Sequence, residues 1–227
     1  MEGRPLQTVV LTGASRGIGW QLARLYAEQG DRVIGGSRKQ AEAPASPSVE
    51  ELALNVTDSS SVEGFATALS GQPVDLLINS AGVIGPKTQS SLSMDFDGFA
   101  EALAVNTLGP LRVTQALLPN LRSASEPKII ILTSRMGSLS YAKSDRVAYR
   151  ASKAAANKVV QCLATDLAKE GIAVAAIHPG WARTELGGPE ADLDPAESAE
   201  GVKSVADRLT LSTSGRFWNY DGTELAW

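Results

Sequence analysis

The chain has few of the residues that several common kinds of site require. Its 227 residues include one cysteine, Cys162, so an internal disulfide is excluded and we expect no metal site. The only histidine is His178, and no Gly-x-Ser-x-Gly motif accompanies it, which argues against a serine hydrolase. We therefore interpret His178 as a structural histidine whose ring is hydrogen-bonded. Cys162 lies in an apolar helical stretch and is interpreted as a small buried residue.

Charge and hydropathy argue against two further classes of protein. With 21 Lys and Arg against 25 Asp and Glu, the net charge is −4, and the cations are dispersed rather than arranged in a stripe. We therefore expect no nucleic-acid partner. The longest aliphatic run, 129–132, is far too short to cross a bilayer, and residues 1–5 do not resemble the start of a secretory signal. The expectation is a cytoplasmic protein with no membrane partner.

Short apolar runs alternate with helical patterns along the chain. Because continuous apolar runs are typical of strands buried on both faces, they favour a parallel sheet; the runs are 8–11, 33–34, 52–54, 74–78, 129–132 and 172–177. Helices are predicted between them, with Gly30 ending the first, a long one over 97–121, and another over 149–170 that Gly171 ends. The pattern predicts an α/β fold with a doubly wound sheet and helices on both faces. The Ala-, Pro- and Ser-rich stretch 40–48 is a loop too short to separate domains, so 1–227 is one domain.

A glycine-rich turn follows the first apolar run and begins the first helix. Its sequence is Thr12-Gly13-Ala14-Ser15-Arg16-Gly17-Ile18-Gly19, with the spacing Gly-x-x-x-Gly-x-Gly. Glycines in such a turn let a pyrophosphate approach backbone N–H groups at the positive end of a helix. A plain glycine-rich turn has the same pattern, but the strand–turn–helix context favours a dinucleotide site. The predicted cofactor contacts in it are Gly13, Ser15, Arg16, Gly17, Ile18 and Gly19.

The residues after the second strand predict which dinucleotide is bound. An NAD site needs a carboxylate there for the adenosine 2′-hydroxyl, and Gly36-Ser37-Arg38-Lys39 has none. Arg38 and Arg16 would instead face a 2′-phosphate, and at about 1.5–3 kcal/mol per charged hydrogen bond they would favour NADP by roughly ten- to a thousand-fold. The alternative is that Arg38 and Lys39 are solvated loop charges. We predict that NADP(H) is preferred over NAD(H), with Ser37 and Arg38 in the site.

Polar residues follow later strands and lie on two helices. Asn79-Ser80-Ala81-Gly82 ends the fourth strand, Asn106 lies in the long helix, and Ser134 ends the fifth strand. The carboxyl ends of parallel strands converge on one crevice, so these residues are expected to meet there. Tyr149 and Lys153 are four residues apart on one helix face, where an ammonium would lower the pKa of the phenol and make it a usable acid or base. The same spacing also occurs in a helix with a snorkelling lysine.

Together these motifs resemble the classical short-chain dehydrogenase/reductase (SDR) family over essentially the whole chain. The glycine-rich turn is similar to the family's cofactor finger, and residues 79–82 to its Asn-Asn-Ala-Gly motif, with Ser80 in place of the second Asn. The residues that match the family's catalytic tetrad are Asn106, Ser134, Tyr149 and Lys153. The resemblance implies a single-domain Rossmann fold with a mostly parallel seven-stranded sheet. It further implies that Asn106 holds a water of a proton relay and that Lys153 binds the nicotinamide ribose.

Two positions depart from the family pattern. Asn55 stands before Val56 where the family usually has an aspartate near the adenine; an asparagine can still accept a bond from the adenine amine. Ser134 lies 15 residues before Tyr149, which leaves Ser138 as a competing catalytic serine. We favour Ser134 because Ser134-Arg135-Met136-Gly137 matches the family's Ser-x-x-Gly. The further cofactor contacts that the resemblance implies are Asn55, Val56, Asn79, Ala81, Gly82, Tyr149, Lys153, Pro179, Gly180 and Thr184.

The C-terminal third is similar to the C-factor-like, sniffer-type carbonyl reductases within the family. The similarity lies in His178-Pro179-Gly180-Trp181-Ala182-Arg183-Thr184 and in the ending from Gly215 to Trp227. It implies an NADP-dependent oxidoreductase that reduces a small-molecule carbonyl (an aldehyde, ketone or quinone), with Trp181 bordering the substrate and a short substrate segment at about 184–200. The alternative is a dinucleotide-binding signalling or regulatory protein that retains the fold. A homodimer or homotetramer through the two long helices is expected from the family, although monomers also occur in it.

Overall fold

A computed structural model describes residues 6–39 and 46–227 of the protein. Within these residues, one parallel sheet contains β1 (Thr8–Thr12), β2 (Arg32–Ser37), β3 (Val49–Ala53), β4 (Leu76–Asn79), β5 (Lys128–Leu132), β6 (Ala173–His178) and β7 (Phe217–Asn219). The strands lie side by side in the order β3-β2-β1-β4-β5-β6-β7, with parallel pairing throughout. The predicted Rossmann fold and its seven-stranded sheet are confirmed.

Six α-helices of the described residues cover the two faces of the sheet. They are α1 (Gly17–Glu28), α2 (Ser59–Ala68), α3 (Phe96–Leu103), α4 (Gly109–Arg122), α5 (Val147–Leu167) and α6 (Pro195–Arg208). One buried cluster joins the sheet to α2, α4 and α5, and the other joins it to α1 and α6. In β5, Ile129 and Ile131 belong to the first cluster, whereas Ile130 and Leu132 belong to the second. The strand is therefore apolar on both faces, which explains its continuous hydrophobic run.

The long helix predicted over 97–121 is interrupted in the structure. After α3, the segment Ala104–Leu108 is a π-helix, and α4 begins at Gly109. Pro110 lies in the first turn of α4 and has no N–H to donate to the carbonyl of Asn106, four residues earlier. The α-helical hydrogen-bond pattern therefore cannot continue at the carbonyl of Asn106. The helix there has a wider turn, in which each hydrogen bond spans five residues instead of four.

Two predictions about α5 differ from the structure. The helix begins two residues earlier than predicted and ends at Leu167, before a 3₁₀ turn over Ala168–Glu170; Gly171 then follows with a φ of 76°, as its predicted helix-ending role requires. The burial predicted for Cys162 is wrong, because its side chain is exposed. The buried face of α5 carries Val160 and Leu163, and Cys162 lies on the opposite side of the helix from Val160.

Some segments lie outside the described residues, and some elements of the structure were not predicted from the sequence. Residues 40–45 of the predicted loop 40–48, and residues 1–5, lie outside the described residues. The sequence patterns located neither β7 nor a small antiparallel hairpin that pairs Gln89–Ser90 with Ser93–Met94. Among the residues that the structure describes, no helix is long and apolar enough to cross a membrane.

Candidate active site

The glycine-rich turn packs directly against the turn that follows β4. The Thr12 hydroxyl accepts hydrogen bonds from the backbone N–H groups of Ser80 and Ala81, each at 3.1 Å. Gly13 has a φ of 71°, and a Cβ there would lie 2.9 Å from the Ala81 backbone. A Cβ on Gly19 would lie only 2.3 Å from the Gly13 carbonyl oxygen, so α1 could not approach the turn so closely with any larger residue. The two turns therefore form one compact backbone surface.

The start of α1 leaves donors available for an anion. Arg16 precedes the helix without a side-chain cap, and the first turn contains no acidic residue. The backbone N–H groups and the positive end of the helix dipole are consequently not satisfied by a side chain of the first turn. Ser15, Gly17 and Ile18 are each partly exposed beside this end of α1. A pyrophosphate fits this arrangement, because the glycines remove the Cβ atoms that would block its approach.

At the predicted adenosine end, Arg16 has a partner that the sequence did not reveal. Its guanidinium forms an ion pair with the carboxylate of Glu185, in the turn after Thr184. Arg38 is exposed, and Ser37 donates its hydroxyl proton to the carbonyl of Lys39 at 2.6 Å. The two predicted cations are thus at the surface, but one of them is engaged by a carboxylate.

Asn55 is turned toward its own loop. Its Oδ1 accepts hydrogen bonds from the backbone N–H of Thr57 at 3.2 Å and from the Thr57 hydroxyl at 2.9 Å. The oxygen that was predicted to accept a bond from the adenine amine therefore already has two donors. The neighbouring Val56 is buried, and its carbonyl accepts a 2.6 Å bond from Arg112.

Asn79, at the end of β4, is a buried polar side chain with unused hydrogen-bonding capacity. Neither its Oδ1 nor its Nδ2 has a hydrogen-bond partner among the described residues. Gly82 follows closely, and a Cβ on it would lie 3.3 Å from Asn106 Oδ1 and 3.7 Å from Lys153 Nζ. Buried polar groups usually find partners, so Asn79 next to the glycine-rich turn indicates a position for a polar ligand.

Asn106 connects the π-helix to the loop after β4 and to α5. Its Oδ1 accepts the Val83 N–H at 2.9 Å, while its Nδ2 donates to the Val83 carbonyl at 2.8 Å and to Ser152 Oγ at 2.9 Å. The side chain is fully buried. Thr107 adds a 2.8 Å bond to the Ser152 carbonyl. Asn106 thereby fixes the loop beside Gly82 relative to the helix that carries Tyr149.

Ser134, Tyr149 and Lys153 come together at the carboxyl end of β5. The side chain of Ser134 is close enough to Tyr149 to lower the pKa of its phenol, and Ser134 Oγ accepts the Met136 N–H at 3.1 Å. Lys153 Nζ donates to the carbonyl of Leu132 at 2.8 Å. Ser138 is instead paired with Ser140, 2.7 Å between hydroxyl oxygens. Of the two candidate serines, Ser134 is the one beside Tyr149.

Burial dominates the acid–base properties of the pair. The side chains of Tyr149 and Lys153 are only 7% and 5% exposed. Burial raises the pKa of Tyr149, and the Ser134 side chain and the charge of Arg146 oppose this effect; burial also lowers the pKa of Lys153 to about 8. The predicted lowering of the pKa of Tyr149 by Lys153 does not set the net direction, because burial disfavours the phenolate and the ammonium lies 5.9 Å from the centre of the tyrosine ring. A neutral phenol is a proton donor.

The turn after β6 carries the other predicted contacts. Gly180 has a φ of 79°, and Pro179 accepts a 2.5 Å bond from Ser198 through its carbonyl. Trp181 is 48% exposed, with its indole N–H donating to the Gly187 carbonyl at 2.8 Å. Thr184 Cγ2 lies 3.3 Å from the position of a Cβ on Gly17, so this turn meets the glycine-rich turn. The segment predicted at about 184–200 is a turn followed by the beginning of α6 at Pro195.

His178 does not have the hydrogen-bonded ring that the sequence predicted. Its Nδ1 is buried without a hydrogen-bond partner in the described part of the chain. Burial and the charge of Arg135 lower its pKa to about 4, with Asp221 opposing them. The imidazole is consequently neutral near neutral pH.

Two residues of the site carried no recognisable sequence signal. Gln89 Oε1 accepts the N–H of Tyr149 at 3.1 Å, while its Nε2 donates to the carbonyls of Ile84 and Pro86. This glutamine lies 60 residues from Tyr149 in sequence and contacts the first turn of its helix. Glu185 is the second such residue, because its partner Arg16 is 169 residues away.

Comparisons with known proteins agree with this geometry. The family model for short chain dehydrogenase matches residues 7–193. The chain is 45% identical over 168 residues to the C-signal of Myxococcus xanthus, which covers 73% of this chain and all of that protein. An NADPH-bound carbonyl reductase from chicken fatty liver superposes with a TM-score of 0.89 and 28% identity, covering 99% of this chain and 100% of the other.

The carbonyl reductase Sniffer of Drosophila melanogaster has a TM-score of 0.90 and 27% identity, covering 98% of this chain and 100% of that one. These similarities extend over the glycine-rich turn, the strand ends and α5. The chain therefore belongs to the short-chain dehydrogenase family of oxidoreductases.

Proposed function

We propose that the protein is an NADP-dependent carbonyl reductase that uses Tyr149 as its acid. The observation that carries this proposal is the buried group of Ser134, Tyr149 and Lys153 beside the glycine-rich turn. Structural neighbours whose names specify carbonyl reductases, one of them bound to NADPH, support it. NADPH would supply a hydride, with its electron pair, to the carbonyl carbon.

The residues of the chain would handle the oxygen and its proton. As charge develops on the carbonyl oxygen, the phenol of Tyr149 gives its proton to that oxygen, and the Ser134 hydroxyl donates a hydrogen bond to it. An alcohol leaves, and Tyr149 regains a proton from solvent. The raised pKa of Tyr149 keeps the phenol protonated at neutral pH, which suits the reductive direction.

Lys153 would hold the nicotinamide ribose. Its ammonium has three protons and uses one on the Leu132 carbonyl, so two remain for ribose hydroxyls. Asn79, with its unpartnered amide, and the backbone around Ala81 and Gly82 would bind the cofactor nearby. Asn106 would support a proton relay by holding the loop at Val83 and by leaving its backbone carbonyl without the N–H of residue 110.

The preference for NADP rests on the cations at the adenosine end. Arg38 and Arg16 would bind the 2′-phosphate, and no carboxylate occupies residues 36–39. Arg16 must exchange Glu185 for the phosphate, so part of the expected selectivity is offset. Trp181, half-exposed next to the turn after β6, would border the substrate.

The test is NADPH consumption with a panel of aldehydes, ketones and quinones. Tyr149→Phe should abolish turnover and keep the affinity for NADPH, since the ring remains and only the acidic proton is lost. Tyr141→Phe removes a phenol from an exposed loop and is the matched control, expected to keep full activity. Full activity of the Tyr149 variant would refute the mechanism.

A signalling or regulatory function is the second candidate. It is favoured by the 45% identity with a protein named C-signal. A protein of this kind needs the fold and the dinucleotide but not the acid. Tight NADPH binding without turnover of any carbonyl in the panel would support it over the reductase.

A further inference from the structure

Two arginines lie next to Ser134 and Tyr149, the residues that would contact the carbonyl oxygen in the proposed reductase. Arg135 directly follows Ser134, and Arg146 precedes α5, three positions before Tyr149. Both side chains are exposed. Although the whole chain has a net charge of −4, the stretch 135–150 contains Arg135, Lys143, Arg146 and Arg150 against Asp145 alone. We call Arg135 and Arg146 the arginine pair.

The arginine pair differs from most arginines of the protein in its ion pairing. Those that form ion pairs with carboxylates in the structure are Arg16, Arg24, Arg32, Arg122, Arg150, Arg183 and Arg216. In the described part of the chain, no carboxylate oxygen lies within 4.0 Å of a guanidinium nitrogen of Arg135 or Arg146. Asp145 is used by Arg150, at 2.6 Å.

Asp221 lies within electrostatic range of Arg135, whose charge helps to lower the pKa of the Asp221 carboxyl. That carboxylate already accepts bonds from the Thr223 hydroxyl at 2.6 Å and from the Thr223 N–H at 2.9 Å. Both of these bonds use Oδ1 of Asp221. The charge of Arg135 lowers the pKa of His178, and the charge of Arg146 lowers the pKa of Tyr149, against the larger effect of burial. Arg146 thus lies within electrostatic range of Tyr149, and Arg135 adjoins Ser134 in the chain and lies within electrostatic range of His178.

An arginine at position 146 destabilises the fold through its backbone conformation and through its charge. Among the described residues it is the only one other than glycine with a positive φ, at 53°, where an asparagine or glycine is better accommodated. It also places a cation at the positive end of α5, whose first turn has no acidic residue. Local costs of this kind are typical of functional positions.

We propose that the substrate carries an anionic oxygen group, a carboxylate or a phosphate, which the arginine pair binds while the carbonyl oxygen contacts Ser134 and Tyr149. The inference rests on the proposed reductase function and names the class of its substrate. A guanidinium presents a planar fork of N–H donors that matches both oxyanions, so the shared chemistry is what the pair recognises.

The first experiment compares matched substrates with NADPH. The anionic ones are 4-carboxybenzaldehyde and dihydroxyacetone phosphate, and their neutral counterparts are methyl 4-formylbenzoate and dihydroxyacetone. Since a charged hydrogen bond contributes about 1.5–3 kcal/mol, kcat/KM should favour the anion about ten- to a hundred-fold. A preference only within the benzaldehyde pair identifies a carboxylate, and one only within the dihydroxyacetone pair identifies a phosphate. Equal kcat/KM within both pairs would overturn the inference.

Variants of the arginine pair show whether these residues cause the preference. Arg135→Gln and Arg146→Gln should each lower kcat/KM for the anionic substrate about tenfold more than kcat/KM for its neutral counterpart. Lys158→Gln, an exposed cation further along α5, is the matched control and should change neither. Arg146→Asn should lose the same preference while raising the melting temperature, an outcome that a purely structural arginine would not give. Equal losses for both substrates would contradict the assignment.

A binding measurement separates this inference from the function on which it rests. Benzoate and phenyl phosphate are titrated into the NADPH complex, with tryptophan fluorescence as the signal. If no carbonyl is turned over but the anion binds and the Gln variants weaken it about tenfold, the anion site stands and the reductase function fails. If neutral carbonyls are reduced and neither anion binds, the inference fails and the reductase stands.

Discussion

The buried ring of His178 predicts a specific loss of stability in mild acid. Its pKa is lowered from 6.5 to about 4, mainly by burial and secondly by Arg135. The unfolded chain therefore binds a proton that the native protein refuses between these two values. The histidine contributes stability that is complete above pH 6.5 and is lost as pH falls toward 4, with a total of about 3 kcal/mol.

Most of this loss falls in an accessible range of pH. Between about pH 7.5 and about pH 5, the free energy of unfolding should decrease by about 2 kcal/mol from this residue alone. For a chain of this size, that corresponds to a melting temperature lower by about 4–8 °C. Because the chain has one histidine, its imidazole NMR signal reports the native pKa without ambiguity.

The assay is urea unfolding over this pH range, followed by tryptophan fluorescence. His178→Asn is the reference, since it cannot titrate, and subtracting its pH profile removes the contribution of the carboxylates. The difference between the two proteins should shrink by about 2 kcal/mol as the pH falls from about 7.5 to about 5. A difference that stays constant, or an imidazole that titrates near 6.5 in the native protein, would refute the reasoning.

Three further predictions concern the site. NADPH affinity should fall about tenfold between about pH 7 and about pH 9, because the ammonium of Lys153, with a pKa of about 8, loses its proton as the pH rises; Lys153→Met should bind NADPH weakly and without this fall in fluorescence titrations. Asn106→Ala should lower the free energy of unfolding by about 3 kcal/mol in urea titrations, at about 1 kcal/mol for each of the three hydrogen bonds of this side chain, and a loss below about 1 kcal/mol would contradict this role. Glu185→Gln should tighten NADPH about two- to five-fold and leave NADH unchanged in the same titrations, since it frees Arg16 from a surface ion pair; equal changes for both cofactors would contradict the 2′-phosphate assignment.

The sequence predicted the features that depend on short-range patterns. Ile129, Ile130 and Ile131 face both sides of the sheet in turn, so a run of apolar residues was enough to place β5. Tyr149 and Lys153 share a helix face because four residues make about one turn. The family motifs then predicted that Ser134 lies beside them, and the structure brings these side chains together.

The remaining features depend on distances that local patterns do not contain. Glu185 reaches Arg16 across 169 residues, and Gln89 reaches Tyr149 across 60, through loops whose path the sequence does not specify. The direction of the pKa shift of Tyr149 depends on whether burial or a neighbouring charge is larger, and only the folded arrangement decides it. For Cys162, apolar neighbours in sequence were misleading, because the exposed face of α5 passes through them.

Asn106 and Thr107 both bond to Ser152, which lies between Tyr149 and Lys153 in α5. The proposed acid and the proposed ribose ligand therefore share one rigid frame with the π-helix, whereas Arg135, Trp181 and Glu185 lie on surface turns. Because of this separation, exposed residues of the turns can be substituted while the positions of Tyr149 and Lys153 are kept. Variants selected for a new carbonyl compound should accumulate changes at the exposed positions of the turns after β5 and β6, such as Arg135 and Trp181, while Ser134 and the residues of the frame stay unchanged.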